Sequence, residues 1–121
     1  MTWVLVVVAG AMGTAARYGI GLLVGPREFP WATFGINVSG SFLIGLVLTL
    51  GAVGRMSPQV TTALAVGFLG AFTTYSTFSY EVFTLGKTSQ VPMALLYIGL
   101  SVALGWLAAA GGYALGSSLS R

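Results

Sequence analysis

The segment GFLGAFTTYSTFSYE, residues 67–81, is the most informative part of this 121-residue sequence. It lies where an apolar membrane span is expected, yet five of seven consecutive positions are serine or threonine. Each polar group in lipid needs a hydrogen-bond partner, so a purely structural span has no use for so many. Polar density at membrane depth is typical of a pathway for a hydrophilic solute. The five residues are Thr73, Thr74, Ser76, Thr77 and Ser79.

Helical spacing sorts this segment into stripes, because residues three or four apart share a face. Phe72, Tyr75 and Phe78 are expected to form an aromatic stripe. Ring edges and hydroxyl hydrogens together solvate a small anion without a fixed cation that would hold it tightly. The alternative is ordinary packing, with hydroxyls bonded back to their own helix, but so many residues in consecutive turns favour a functional lining. The other predicted stripes are a hydroxyl stripe of Thr73, Ser76 and Ser79 and a third stripe of Thr74, Thr77 and Glu81.

An interruption of the helix is predicted by Gly67, Gly70 and the pair Thr73 and Thr74. Glycine weakens helix interiors, and nearby hydroxyls satisfy the backbone groups that an interruption frees. Unwound carbonyls at membrane depth bind cations in transporters with broken helices. The carbonyls of this segment are therefore candidates for a cation site.

Four apolar segments make up the chain, at residues 2–24, 31–53, 59–85 and 92–116. The composition is 56% hydrophobic and 6% charged, against about 25% charged in soluble domains, which excludes a soluble fold. The third segment is long for a straight crossing, consistent with a break. We expect a single all-α integral membrane domain with four transmembrane helices, the third broken near its middle.

The chain offers little material for catalysis. Cysteine and histidine are absent, which removes thiol chemistry and nearly every zinc or copper site. Its only carboxylates, Glu28 and Glu81, are far apart in sequence, so a catalytic carboxylate pair is not indicated. The five basic residues are scattered, and no nucleic-acid patch is expected. We predict that the protein is not an enzyme.

The basic residues near the span ends give no clear orientation. Arg55 and Arg121 lie on one side of the four predicted spans, and Arg27 and Lys87 lie on the other. Since the positive-inside rule counts these residues, the tie suggests insertion in both orientations followed by antiparallel dimerisation, with one weakly biased orientation as the alternative. Four short helices enclose little volume, which favours a hydrophilic path at a subunit interface.

Two further polar positions lie at membrane depth outside the third segment. The Asn37 amide has two donor hydrogens for an anion, or it joins two helices. Tyr97 and Ser101 are four residues apart and place two hydroxyls on one helix face.

Three blocks of sequence resemble the Fluc/CrcB fluoride channels of microbial membranes. GAMGTAARY at residues 10–18 is similar to the family's GxxGAxxRY, with Thr14 in place of alanine. TFGINVSGSFLIG at residues 33–45 resembles TxxxNxxGSFLxG, and residues 67–81 resemble GFxGxxTTFSTFSxE. The likeness covers nearly the whole chain.

The resemblance implies a dual-topology antiparallel homodimer in the cell inner (plasma) membrane, with two pores that export fluoride passively and relieve its toxicity. It places Gly70 and Thr73 where backbone carbonyls of both subunits hold a central sodium ion. Arg17 matches an arginine with a structural or electrostatic role in the vestibule. Tyr75 departs from the family's phenylalanine: its ring keeps the positive edge and adds a hydroxyl that can donate to the ion or to another group. The pore residues implied are Asn37, Thr74, Tyr75, Ser76, Thr77, Phe78, Glu81, Tyr97 and Ser101.

Two other functions compete with this interpretation. Small multidrug exporters also have four spans, but they need a membrane-embedded carboxylate, typically in the first span, where this chain has only Arg17. A non-transporting assembly subunit held together by small residues leaves the hydroxyls and rings of residues 72–79 unexplained.

Overall fold

The computed structural model describes all residues, 1–121, and every regular element in it is helical. Two long helices come first, and a series of short helical pieces follows them before the longest helix ends the chain. The elements are α1 (Thr2–Val24), α2 (Trp31–Ala52), α3 (Pro58–Thr62), a π-helical segment (Ala63–Leu69), α4 (Gly70–Phe72), α5 (Tyr75–Lys87) and α6 (Val91–Leu119).

Three of these helices, α1, α2 and α6, are long and apolar enough to cross a membrane. At 1.5 Å per residue they measure roughly 33–44 Å, against about 30 Å for the hydrocarbon core of a bilayer. Their outer surfaces are strongly apolar, with Leu23 88% and Trp106 71% exposed. An apolar surface of this extent suits lipid, and the chain is a multi-pass membrane protein.

Close backbone contact joins α2 to α6, the most extensive helix pair in the molecule. A Cβ atom added to Gly112 would lie 2.0 Å from the Phe42 carbonyl oxygen, and one added to Gly45 would lie 2.3 Å from the Ala109 carbonyl oxygen. Only glycine permits this approach. Such contacts replace the hydrophobic driving force that helices lack in lipid.

The π-helical segment packs in the same manner against α1. A Cβ atom on Gly13 would lie 2.2 Å from the Phe68 carbonyl oxygen, and one on Gly67 would lie 2.6 Å from that of Val6. Gly67 is therefore needed for packing, and it lies within the π-helical segment rather than at an interruption.

Candidate functional site

The helical backbone stops at Phe72 and resumes at Tyr75. Thr73 (φ −79°, ψ 155°) and Thr74 (φ −148°, ψ 119°) between them have extended conformations. An interruption frees backbone groups that a continuous helix would pair, and each of them needs another partner at membrane depth.

Asn37 of α2 pairs with the extended backbone of Thr74 through both ends of its amide. The Thr74 N–H donates to Asn37 Oδ1 at 2.8 Å, and Asn37 Nδ2 donates to the Thr74 carbonyl oxygen at 3.0 Å. The amide thus imitates a neighbouring strand and uses one of its two donor hydrogens. Asn37 fixes the position of the interruption relative to α2.

Other polar side chains bond the two helix ends beside the interruption. Arg17 Nε of α1 donates to the carbonyl oxygen of Ala71 at 3.1 Å. The Thr74 hydroxyl oxygen accepts from the Thr77 N–H at 3.2 Å and so caps the first turn of α5. The sequence around the interruption therefore supplies its own substitutes for helical hydrogen bonds.

Two carbonyl oxygens near the interruption lose their helical partners. The Thr74 N–H, which would bond to the Gly70 carbonyl in a continuous helix, donates to Asn37 instead. The Thr73 carbonyl accepts no backbone hydrogen bond, since the Thr77 N–H is taken by the Thr74 hydroxyl. Gly70 lies on the surface of the chain, and Thr73 is half-buried.

The interruption also divides the aromatic stripe predicted for residues 72–78. Phe72 is buried and stacks on Phe68 with ring centroids 5.7 Å apart, whereas Tyr75 is 81% exposed. The expectation of one three-ring stripe is therefore wrong at Phe72, because extended backbone at Thr73 and Thr74 turns α5 relative to α4. Tyr75 and Phe78 remain neighbours, with centroids 6.2 Å apart.

A cleft of about 370 Å³ opens beside the interruption, and we call it the break cleft. It brings together Asn37, Thr74, Tyr75, Phe78 and Ser101, all predicted as pore residues, with Thr73. No charged side chain lines it. The remaining lining residues are Gly40, Ser41, Ile44, Leu69 and Val102.

Two donors in the break cleft have no partner within the chain. The buried Ser101 Oγ makes no hydrogen bond, and one Asn37 Nδ2 hydrogen is left over. By contrast, the hydroxyls of Thr73 and Ser41 are used, since they donate to the carbonyl oxygens of Leu69 and Asn37 at 2.8 and 2.7 Å. An unused buried hydroxyl is costly unless a ligand or water accepts from it.

The predicted residues Glu81 and Tyr97 lie outside the break cleft and next to each other. The fully buried Tyr97 donates its hydroxyl to Glu81 Oε1 at 3.4 Å. Its ring meets Phe78 edge-on, with centroids 4.9 Å apart. Phe78 thus faces the break cleft and also touches the Tyr97–Glu81 pair.

A second cleft, of about 350 Å³, lies beyond that pair, and we call it the loop cleft. Glu81 lines it together with Tyr80, Thr84 and Leu85 of α5, residues 25–30 of the α1–α2 connection, and residues 31 and 32 at the start of α2. The Phe29 ring of that connection meets Tyr97 edge-on at 5.3 Å between centroids.

The remaining predicted residues are placed elsewhere. Thr77 and Arg17 line a third cleft, of about 420 Å³, which also includes Thr74. Ser76 is exposed, and its hydroxyl lies 3.4 Å from that of Thr74. The structure thus groups five of the nine pore residues at one cleft and distributes the other four around it.

Comparison with known proteins places this architecture in a family. The CrcB-like protein family (camphor resistance, CrcB) matches residues 4–113. The chain belongs to the CrcB-like family. Proteins named fluoride-specific ion channel FluC are similar over almost their whole length. The Acidobacterium capsulatum protein is 44% identical, covering 98% of both chains, and the Thermus thermophilus protein is 46% identical, covering 97% of this chain and 96% of its relative.

Three residues of these clefts had no functional role assigned from sequence. Thr33 is buried beside both Glu81 and Tyr97, and its spacing of four from Asn37 on α2 was a usable signal. Gly40 leaves the space that the Thr73 methyl group occupies, since an added Cβ would lie 2.3 Å from Thr73 Cγ2. Phe29 lies in a connection, and its packing on Tyr97 has no counterpart in the sequence pattern.

Proposed function

We propose that this protein is a passive channel that selects fluoride and exports it from the cell. The observation that carries the proposal is the break cleft, where two aromatic rings meet unused hydrogen-bond donors and no charged side chain. The relatives named fluoride-specific ion channel FluC support the same assignment. The similarity to these relatives extends over almost the whole chain and is not limited to one motif.

The lining suits a small anion of high charge density. Fluoride gives up tightly held water only where donors replace it, and Ser101 and Asn37 each have a donor hydrogen to offer. The positive edges of Tyr75 and Phe78 add attraction. Because no cation is fixed in the cleft, an ion held there is also free to leave, as conduction requires.

We propose that residues 58–87 form the third of four membrane spans. The helical run of residues 58–72 and helix α5 are roughly 22 and 20 Å long, so each is too short to cross alone. Joined at Thr73 and Thr74, they are long enough. With residues 58–87 counted as one span, the chain has four membrane spans in a single membrane domain.

We further propose an antiparallel homodimer inserted in both orientations, with two pores at its interface. Supporting this is the exposure of Gly70, Tyr75, Ser76 and Thr77 in a single chain. Hydroxyls and a peptide group in contact with lipid tails are unfavourable, and a second copy would cover them. We propose the inner (plasma) membrane as the location of this dimer.

A sodium ion at the dimer centre is proposed as a structural cofactor. The Thr73 and Gly70 carbonyls fit this role, because both lack their helical partners and oxygen is the ligand that hard cations prefer. Two carbonyls from each of two chains supply four oxygens. The cation would add positive charge near the low-dielectric path of an anion.

The multidrug-exporter alternative finds no support in the break cleft. Proton-coupled export of a cation needs a carboxylate in the substrate site, and none lines this cleft. The carboxyl of Glu81, on the next turn of α5, accepts from Tyr97 on the other side of Phe78.

Growth on fluoride tests the proposed physiological role. A bacterial strain without a fluoride exporter, expressing this protein, is expected to grow at fluoride concentrations that stop the strain carrying an empty vector. A strain expressing Phe78→Ile serves as the matched control and is expected to stay sensitive. Equal sensitivity of all three strains, with the protein present in the membrane, contradicts the proposal.

A further inference from the structure

We propose that the loop cleft is a mouth of the ion path, present at each membrane face of the antiparallel dimer, and that Arg27 attracts the anion to it. This inference rests on the proposed channel function and adds a residue that sets the rate at which fluoride reaches the pore. It concerns the connection between α1 and α2, and none of the pore residues described above lies in that connection.

The loop cleft lies next to the break cleft with a single layer of side chains between them. Phe78 lines the break cleft, and Glu81, one helical turn along α5, lines the loop cleft. Tyr97 packs between them, with its ring on Phe78 at 4.9 Å and its hydroxyl on Glu81 at 3.4 Å. An ion that passes Phe78 therefore comes next to the loop cleft.

The far wall of the loop cleft is the short α1–α2 connection. Gly25 begins it with φ +68°, a conformation open to glycine at little cost, which turns the chain sharply after α1. Phe29 then packs edge-on against Tyr97 at 5.3 Å. These contacts hold the connection over the end of the path and place Arg27 at its rim.

Arg27 is the only basic residue that lines the loop cleft. Its guanidinium makes one hydrogen bond, from Nε to the Val24 carbonyl oxygen at 3.2 Å, and it bonds to no carboxylate. Glu28 and Glu81 line the same cleft. Without Arg27 the charged residues of the mouth would all be acidic, and approach of an anion would be opposed by the field they create.

The test measures initial fluoride efflux from liposomes, at subsaturating fluoride, for three charge-neutralising variants. Arg27→Gln is expected to lower the rate at about 10 mM ionic strength by about two- to fivefold, because exposed charges steer ions most strongly when screening is weak. Glu28→Gln is expected to raise it. In about 1 M of an impermeant salt both variants should match the unmodified protein, since the screening length falls to about 3 Å.

Lys87→Gln is the matched control, because Lys87 is an exposed cation in the last turn of α5 that does not line the loop cleft. It should leave the rate unchanged. The inference is overturned if Arg27→Gln conducts like the unmodified protein at low ionic strength, or if Lys87→Gln lowers the rate equally. Absence of fluoride efflux from the unmodified protein is a different result and contradicts the channel function itself.

Discussion

Asn37 shows how one side chain can both build and line a site. Its amide satisfies the Thr74 N–H and carbonyl at 2.8 and 3.0 Å, and a single donor hydrogen is left for an ion. Asn37→Ala leaves two backbone groups unpaired at about 1–3 kcal/mol each. We expect fluoride flux to fall at least about tenfold, since about 1.4 kcal/mol corresponds to a factor of ten.

The control for this variant is Ser39→Ala, which removes a hydroxyl of the same helix that bonds only to its own backbone, at Ile36. Its flux in reconstituted liposomes should stay unchanged. Asn37→Asp tests the geometry further, because a carboxylate accepts from the Thr74 N–H but repels the Thr74 carbonyl. Flux of Asn37→Asp equal to that of the unmodified protein would refute the paired role of the amide.

Substitutions at Phe78 and Tyr75 separate the contribution of the aromatic ring to fluoride flux from that of the tyrosine hydroxyl. Phe78→Ile removes the positive ring edge while keeping an apolar side chain, and flux is expected to fall by roughly tenfold. Tyr75→Phe keeps the edge, so its flux should stay within about twofold. Liposome efflux measures both. Unchanged flux in Phe78→Ile would contradict a role for the Phe78 ring in fluoride conduction.

At the residue scale, the sequence predicts the chemical type of the site's side chains better than it predicts which of them lie at the same cleft. Asn37, Tyr75, Phe78 and Ser101 meet at one cleft because residues on three helices converge there. Glu81 and Thr77 lie around it because the interruption rotates α5, and helical periodicity carries no information about that rotation. The pairing of Asn37 with Thr74 depends on a contact between residues 37 apart, which spacing within one helix cannot indicate.

Among the helices, close packing of α6 on α2 depends on glycine at defined positions. Gly112→Ala places a Cβ atom 2.0 Å from the Phe42 carbonyl oxygen, and the overlap should cost about 1–3 kcal/mol. We expect a lower thermal unfolding temperature for the detergent-solubilised protein. Gly99→Ala, on the same helix with no atom within 4 Å of the new Cβ, is the control and should leave that temperature unchanged or slightly higher. Equal stability of the two variants would contradict this packing role.

The helices themselves follow closely from hydropathy. Apolar segments predicted at residues 31–53 and 92–116 correspond to Trp31–Ala52 and Val91–Leu119, because length and apolar composition suffice to indicate a span. The π-helical segment Ala63–Leu69 has no such signal. It results from packing against α1, where Gly67 and Gly13 bring two backbones together, and sequence alone does not reveal that partner.

At the scale of the whole molecule, the balance of basic residues predicts insertion in both orientations. A tag on the C-terminus should be accessible to a membrane-impermeant reagent from both faces of the inner membrane, in comparable amounts. Adding two lysines after Ser120 should bias the tag to the cytoplasmic face and lower fluoride flux, because antiparallel partners become scarce. A tag accessible from one face only, with full flux, contradicts the antiparallel arrangement.

Selective passage of fluoride is the central claim, and efflux from liposomes tests it most directly. Purified protein is reconstituted into liposomes loaded with equal concentrations of fluoride and chloride, and each ion is followed with its own electrode. We expect rapid release of fluoride while chloride stays at the rate of protein-free liposomes, because the unused donors and ring edges of the break cleft favour the anion of higher charge density. Fluoride release no faster than from protein-free liposomes, or equal release of both ions, would contradict it.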